Sequence, residues 1–200
     1  MDGKLYLIIG STRSGKTHWT MKQLEKFDRA IVWDIKHDLR EFKGFIRCTS
    51  MQQLIRLLFE HKDKPLRVTY SGNVSDFDMW CKLAYQWAND KKCAIVSDEL
   101  SDVTTISKAP PAWGQIIRKV LCTGSDVFAI TQRPAEIDKT TVGNASIFHV
   151  HRMSRAKDRK YIAEEMDISV DMVNSLSDRD YIEKNNITQI VDTFKYKDTG

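Results

Sequence analysis

Apolar positions fall in short uninterrupted runs that alternate with stretches of helical spacing. Six runs have the length of a strand, at residues 4–9, 30–34, 67–70, 93–98, 127–131 and 147–151, the last being less apolar than the others. Continuous apolar strands are typical of a parallel sheet whose two faces are both covered. Their alternation with helices predicts an α/β fold with a mostly parallel central sheet and helices on both faces.

The segments between these runs contain helix signals. Helices are predicted over residues 17–27, 155–166 and 169–176. Ser50 and Gln53 have the spacing of a capping box, which satisfies free backbone N–H groups at the start of a helix. Ser75 is predicted to cap a further helix, along which Trp80 and Trp87 recur at helical spacing and indicate a packed face.

The carboxyl-terminal part of the chain has a different pattern. Residues 181–183 and 187–194 are strand-like and flank Asn185-Asn186, a pair suited to a tight hairpin turn, so we expect a C-terminal hairpin. No internal repeat or linker divides the sequence. We expect one domain over residues 1–200, with its core at about 4–160 and C-terminal helices and the hairpin in 161–200.

Composition narrows the class of protein. Of the 200 residues 42% are apolar and 29% charged, as in a globular domain. The longest apolar run, residues 5–9, is far shorter than a membrane span, and no secretory leader opens the chain. The 4 cysteines form no C-x-x-C pair, which argues against a zinc site or a disulfide framework. The net charge of +4 permits nucleic-acid binding without demonstrating it.

Residues 10–17 read Gly-Ser-Thr-Arg-Ser-Gly-Lys-Thr and fit the phosphate-binding pattern G-x-x-x-x-G-K-[ST]. The match lies between a predicted strand and a predicted helix, which is the context this loop requires. Its glycines let backbone N–H groups wrap around phosphates, its lysine adds positive charge, and Thr17 offers a hydroxyl to Mg²⁺. The predicted ATP-binding residues are Gly10, Ser11, Thr12, Arg13, Ser14, Gly15, Lys16 and Thr17.

Two acidic residues end the fourth apolar run. Asp98 lies at the carboxyl tip of this predicted strand, where it can hold the shell of a Mg²⁺ ion together with Thr17. Glu99 is one residue further and can accept a proton from the water that attacks the γ-phosphate. Gln132 follows the fifth run and is predicted to sense the γ-phosphate. With Lys16, these residues form a candidate catalytic set for hydrolysis of ATP.

Four motifs together resemble the FtsK–HerA superfamily of DNA-pumping ATPases. They are the loop at 10–17, the segment 31–36 with Asp34 and Lys36, the pair Asp98-Glu99, and the segment 131–134, Thr-Gln-Arg-Pro. The bare core is similar to the genome-packaging ATPases of icosahedral viruses with an internal membrane, since a phosphate loop beginning at residue 10 leaves no room for an amino-terminal anchor. Pro110-Pro-Ala-Trp-Gly114, leading into the helix before the fifth run, supports this narrower resemblance.

This resemblance implies a RecA-like P-loop NTPase fold and a homo-oligomeric ring, expected to be hexameric, around double-stranded DNA. It implies ATP and Mg²⁺ as cofactors, capsid vertex or portal proteins as partners, no membrane span, and a location in the virion or the host cytoplasm. Such rings take an arginine from the neighbouring subunit. We expect this to be Arg118, with Arg152 and Arg155 as alternatives, because Val120-Leu121 stand where relatives often have Gly-Arg.

The densest basic stretch covers residues 149–160 and fits either a DNA contact or a solvated helix face. Arg155 and Lys157, within this stretch, are expected contacts to DNA phosphates. Lys108 is a further expected DNA contact, implied by the geometry of the resembled family. His149 and His151 share one face of a predicted strand, and no third ligand suggests a metal site there.

The function expected from these features is ATP-driven translocation of double-stranded DNA, most simply the packaging of a viral genome into a preformed capsid. One alternative is a phage morphogenesis or secretion ATPase that acts on protein, although such proteins usually carry a membrane span. Another is a small-molecule P-loop kinase, which would leave Glu99 and Gln132 unexplained. A slow nucleotide-dependent switch is a third, against which an intact Glu99 argues.

Overall fold

A nine-stranded sheet organises the residues that the structure, a computed structural model, describes: 2–35 and 44–196. Its strands are β1 (Leu5–Ile9), β2 (Arg29–Trp33), β3 (Ile46–Cys48), β4 (Leu66–Tyr70), β5 (Ala94–Ser97), β6 (Asp126–Thr131), β7 (Ile147–His151), β8 (Tyr181–Asn185) and β9 (Ile190–Phe194). The order across the sheet is β3-β4-β2-β5-β6-β1-β7-β8-β9. Strands β1 to β7 pair in parallel, whereas β8 and β9 are antiparallel additions beside β7.

Helices cover both faces of this sheet. They are α1 (Lys16–Leu24), α2 (Met51–Glu60), α3 (Phe77–Asp90), α4 (Pro111–Lys119), α5 (Lys139–Asn144), α6 (Ala156–Glu165) and α7 (Val170–Asn174). Because alternate strand residues point to opposite faces, Leu7 packs in the larger core with Trp80 and Trp113, while Ile8 packs in a second core with Leu24 and Phe128. The predicted α/β architecture, with a mostly parallel sheet, helices on both faces and a C-terminal hairpin, is confirmed.

Local capping explains where two of the helices begin. Ser50 caps α2 as predicted, with its hydroxyl accepting from the Gln53 N–H at 3.3 Å. The predicted cap at Ser75 is wrong, because a short 3₁₀ turn at Val74–Asp76 precedes α3. There the Asp76 carboxylate accepts from the Asn73 N–H at 3.2 Å and completes a capping box that starts two residues earlier than expected.

The turn of the C-terminal hairpin also differs from its prediction. It spans the four residues 186–189 rather than the pair Asn185-Asn186, so Ile187 belongs to the turn and not to a strand. The side chain of Asn185 sets this geometry, because its Oδ1 accepts from the N–H groups of Ile187 and Thr188 at 2.9 and 3.2 Å.

Strand β3 has no counterpart in the sequence prediction. Among the described residues it pairs with β4 alone. It has three residues, too few for a hydrophobic period to reveal it. Lys36, which belongs to one of the motifs quoted above, lies outside the described residues. None of the helices in the described part of the chain is long and apolar enough to cross a membrane.

Candidate nucleotide site

The phosphate loop connects the carboxyl end of β1 to the amino end of α1. Gly15 is the residue before α1 and has φ = 111°, a conformation in which a side chain would be strained. At Gly10 a Cβ would lie 2.6 Å from Ser14 Oγ and 2.7 Å from His151 Cβ, so the loop closes against β7 only because glycine is present. The backbone conformation at Gly15 and the close packing at Gly10 therefore explain why both motif positions are glycine.

Lys16 folds back over the loop that it follows. Its Nζ donates a hydrogen bond of 2.9 Å to the backbone carbonyl of Ser11, and the residue is buried. The positive charge therefore lies inside the curve of residues 10–16, where an anion would be surrounded by backbone N–H groups. Thr17, the next residue, is half-buried at the first turn of α1.

The acidic pair follows β5, two strands away from β1. The Asp98 N–H donates to the Trp33 carbonyl at 3.0 Å, which extends the sheet by one residue. Glu99 then adopts φ = 49° and ψ = 55°, a left-handed conformation that is uncommon for a residue other than glycine. This conformation turns the chain. The Glu99 side chain is buried and points toward β6, where it contacts Gln132.

Gln132 joins the acidic pair to the phosphate loop. Its amide Nε2 donates to Glu99 Oε1, and its Oε1 accepts from the Thr12 hydroxyl at 2.9 Å. Strand β6 lies between β1 and β5, so a residue just past its carboxyl end reaches both neighbours. The structure therefore brings three of the predicted site residues, Gln132, Glu99 and Thr12, into one hydrogen-bonded group.

Asp98 lies in a cluster of like charge. Desolvation by burial, together with the nearby carboxylates of Glu99 and Asp34, raises the pKa of Asp98 to about 7, although the positive charge of Lys16 opposes the shift. Asp34, just past β2, is fully buried. A divalent cation would relieve this repulsion, but among the described residues no three His, Cys, Asp or Glu side chains are grouped to hold a metal ion by themselves, so the phosphates of a nucleotide would have to supply ligands as well. Asp98 and Thr17 are the residues that would hold Mg²⁺ on an ATP.

The other side of β1 carries imidazoles instead of carboxylates. His149 and His151, on β7, contact each other through their Nε2 atoms at 3.0 Å, and His151 Nδ1 lies 3.1 Å from the Asp180 carbonyl. Burial lowers the pKa of both rings, that of His151 to about 3. The Trp19 ring of α1 stacks on His149 with centroids 3.8 Å apart. These neutral rings form the buried floor under the phosphate loop.

The candidate arginines occupy two different places. Arg118 is exposed near the end of α4, the helix that leads to the amino end of β6, so it lies at the edge of the sheet opposite the phosphate loop. Arg152 and Arg155 line a cavity beside Ser11 and Gln132 of the same chain. Arg152 is paired with Asp178 at 2.6 Å and Arg155 with Glu136 at 3.2 Å.

The expected DNA contacts share one edge of the molecule. Lys108 is exposed in the loop after β5, and Arg155 and Lys157 are exposed just after β7. Both loops follow the carboxyl ends of parallel strands, the same edge that carries the phosphate loop.

Three residues near the phosphate loop were not anticipated from the sequence. Arg179, Tyr181 and Tyr196 lie on or beside the C-terminal hairpin, and Arg179 N–H donates to the Ser14 carbonyl at 3.2 Å. No motif marks them, and a turn that docks on a loop 165 residues earlier has no local sequence signal. The C-terminal segment is thus part of the site and not an appendage to it.

Known proteins resemble this chain in sequence and in fold. No protein-family model matches the sequence. The chain is 29% identical over 175 residues to Protein P9 of Pseudoalteromonas phage PM2, a match that covers 86% of this chain and 78% of that protein.

Two solved structures are similar over almost the whole chain. The genome packaging NTPase B204 of Sulfolobus turreted icosahedral virus 2, in complex with ATPγS, superposes with a TM-score of 0.79 at 15% identity and covers 96% of this chain and 97% of its own. The DNA-packaging ATPase B204 of Sulfolobus turreted icosahedral virus has a TM-score of 0.76 at 19% identity, with 98% of each chain covered. The predicted P-loop NTPase fold, and the predicted resemblance to genome-packaging ATPases, are confirmed.

Proposed function

We propose that this protein is an ATP-hydrolysing translocase of double-stranded DNA that packages a viral genome into a preformed capsid. The observation that carries the proposal is the group formed by Thr12, Gln132 and Glu99, because it connects the phosphate loop to a carboxylate able to activate water. The similarity in fold to packaging NTPases supports the choice of substrate.

In the proposed reaction each residue has a definite task. Lys16 and the N–H groups of the loop bind the β- and γ-phosphates, and Thr17 with Asp98 would hold a Mg²⁺ ion, which would neutralise phosphate charge. Glu99 accepts a proton from a water whose oxygen attacks the γ-phosphorus, while the bond to the bridging oxygen breaks and ADP leaves. Gln132, which is hydrogen-bonded to both Glu99 and Thr12, would sense the departure of the γ-phosphate through these two residues and pass the change to the loop at 131–134.

The proposal includes a homo-oligomeric ring, hexameric in the form we expect. Arg118 lies at the edge of the sheet opposite its own phosphate loop, so it could act only on the nucleotide of a neighbouring subunit. Arg152 and Arg155 lie beside their own loop and are better placed to act within the subunit. This contrast in position supports Arg118 as the residue supplied in trans.

DNA would contact the edge of the molecule that carries the phosphate loop. Lys108, Arg155 and Lys157 are exposed there and offer positive charge to phosphates without reading bases. Capsid vertex or portal proteins are the proposed docking partners, and the virion or the host cytoplasm is the proposed location.

The test is steady-state ATP hydrolysis with Mg²⁺, measured with and without long duplex DNA of arbitrary sequence at two salt concentrations. We expect DNA to stimulate hydrolysis and added salt to reduce the stimulation, because contacts to phosphates release counterions. Glu99→Gln is the matched control for contaminating activity. A hydrolysis rate that is the same with and without DNA would favour an ATPase that acts on protein. Transfer of phosphate to a small acceptor would favour a kinase.

A further inference from the structure

The position of the catalytic group fixes the direction in which a bound nucleotide must lie. Glu99 and Gln132 follow β5 and β6, which lie on one side of β1. The γ-phosphate must face them, because the attacking water lies between Glu99 and the γ-phosphorus. The rest of the nucleotide then extends to the other side of β1, toward β7 and β8.

A cavity is present on that side. It has a volume of about 480 Å³ and lies between the start of α1 and the C-terminal hairpin. Its lining includes His18, Trp19 and Lys22 from α1 and Arg179, Tyr181 and Tyr196 from the hairpin region. A larger groove of about 740 Å³ also begins at the loop, but it follows α1 toward Arg67 at the amino end of β4 and does not cross β1 toward β7 and β8.

The outer wall of the cavity is a stacked pair. The Arg179 guanidinium lies 4.8 Å from the centroid of the Tyr196 ring, and its Nη1 donates to the Tyr196 hydroxyl at 2.8 Å. Both residues are exposed to solvent, so their flat surfaces are accessible to a ligand. An aromatic ring beside a guanidinium plane is a surface on which nucleic-acid bases stack.

Buried contacts hold this pair in place next to the phosphate loop. The Tyr196 N–H donates to Asp180 Oδ1 at 2.8 Å, and the Lys195 ammonium lies 3.1 Å from the other oxygen of the same carboxylate. Desolvation acts to raise the pKa of Asp180, but hydrogen bonds from Ser177, Tyr196 and Lys195 outweigh it and lower that pKa. Together with the Arg179 N–H bond to Ser14, these contacts make the stacked pair a preformed element.

We propose that this cavity binds the base and ribose of the nucleotide, with the base stacked on Tyr196 and Arg179. The proposal rests on the phosphate site of the proposed function. The side chains of Arg179, Lys22 and His18 present mainly N–H donors, which suit the ring nitrogens of a purine as acceptors. The C-terminal hairpin would thus decide how tightly this protein holds a nucleoside triphosphate compared with a bare polyphosphate chain.

Calorimetric titration of the full chain with ATP and with inorganic tripolyphosphate, both with Mg²⁺, tests this. Tyr196→Ala is expected to weaken ATP binding by about tenfold, the scale of one lost base stack, and to leave tripolyphosphate binding unchanged. Tyr196→Phe keeps the ring and is expected to recover most of the lost affinity. Ile190→Ala, at the exposed far end of the same hairpin, is the matched control.

The possible results separate this proposal from the function on which it rests. If Tyr196→Ala weakens both ligands equally, the hairpin only supports the phosphate loop and the base subsite is wrong. If neither affinity changes, the base binds elsewhere. If the unaltered protein binds neither ATP nor tripolyphosphate, the phosphate site itself is refuted, and the proposed function fails with it.

Discussion

The two sides of β1 are built from different chemistry and were predicted with different success. Toward β5 and β6, carboxylates and an amide surround the place for a γ-phosphate, and these residues lie in motifs. Toward β7 and β8, the neutral imidazole of His151, two tyrosines and Arg179 line the cavity, and no motif beyond the phosphate loop marks it. The candidate reactive groups come directly after strands in the sequence, so a local pattern predicts them. The residues around the rest of the ligand come from segments far apart in the sequence, and no local pattern predicts them.

The largest effect is expected from Lys16→Ala. This substitution removes the positive charge within the phosphate loop, which both the β5 side and the β7 side of the site adjoin. ATP affinity should fall on the order of 100-fold or more, because the lysine ammonium lies within the loop that surrounds the phosphates. Calorimetric titration measures this. Lys26→Ala, an exposed lysine just beyond α1, is the control. ATP binding that survives in Lys16→Ala would place the phosphates elsewhere.

The next largest effect is on ATP turnover and concerns Glu99, on the β5 side of the site. Glu99→Gln should lower ATP turnover by about 10²–10⁴-fold and leave ATP affinity nearly unchanged, because the amide can still accept from Gln132 but cannot take a proton from water. Single-turnover hydrolysis and nucleotide retention measure the two quantities. Glu136→Gln, at an exposed carboxylate, serves for comparison. Turnover close to that of the unaltered protein would move the base to another residue.

A smaller effect concerns the free energy of unfolding in the absence of Mg²⁺. It arises from Asp98, on the same side of β1. The folded pKa of Asp98 is raised to about 7, so the folded state loses stability as pH rises from the unfolded pKa of about 4 through 7. Asp98→Asn removes this cost and should raise stability by about 1–2 kcal/mol, or roughly 3–6 °C in Tm, near pH 8.

Thermal unfolding at several pH values tests whether the stability gained by Asp98→Asn increases with pH, as expected. The gain from Asp98→Asn should shrink toward about pH 5, where the native carboxyl is already protonated in the folded state. Asp192→Asn, on exposed β9, should show no such pH-dependent gain. A gain that is constant with pH would mean that the charge of Asp98 is not its cause.

The smallest effect has the opposite sign of pH dependence and belongs to the β7 side. The folded pKa values of His149 and His151 are lowered, so both rings are neutral in the folded state and take up protons on unfolding. Their contribution is present above the unfolded pKa of about 6.5 and is lost as pH falls below it. We expect about 1 kcal/mol of destabilisation between roughly pH 7 and 5.5.

His151→Gln separates this contribution from general acid denaturation. The variant should lose less stability than the unaltered protein over the same pH interval, whatever its stability at neutral pH. His18→Gln, at an exposed position on α1, should leave the pH dependence as it was. An unchanged pH dependence in His151→Gln would contradict the assignment of a neutral buried ring.

Sequence patterns alone predict the sheet class, the strands that carry the site and the identity of its candidate reactive groups. Those features depend on local causes: apolar runs predict buried strands, and Gly10, Gly15 and Lys16 are required by backbone conformation and charge within one loop. Position at a strand end likewise placed Glu99 and Gln132 at the same edge of the sheet. The Ser75 cap and the two-residue hairpin turn failed because neighbouring side chains stabilise different turns: Asp76 accepts from the Asn73 N–H, and Asn185 accepts from the backbone of the four-residue turn.

How these groups come into contact depends on the packing of the whole chain. The link from Thr12 through Gln132 to Glu99 requires β6 to lie between β1 and β5, and strand order is not encoded in the spacing of apolar residues. The cavity beside Tyr196 requires the hairpin to fold back onto Ser14, 165 residues before Arg179. Contacts at such separations form through packing of the whole sheet, and packing depends on the complete set of side chains rather than on any segment.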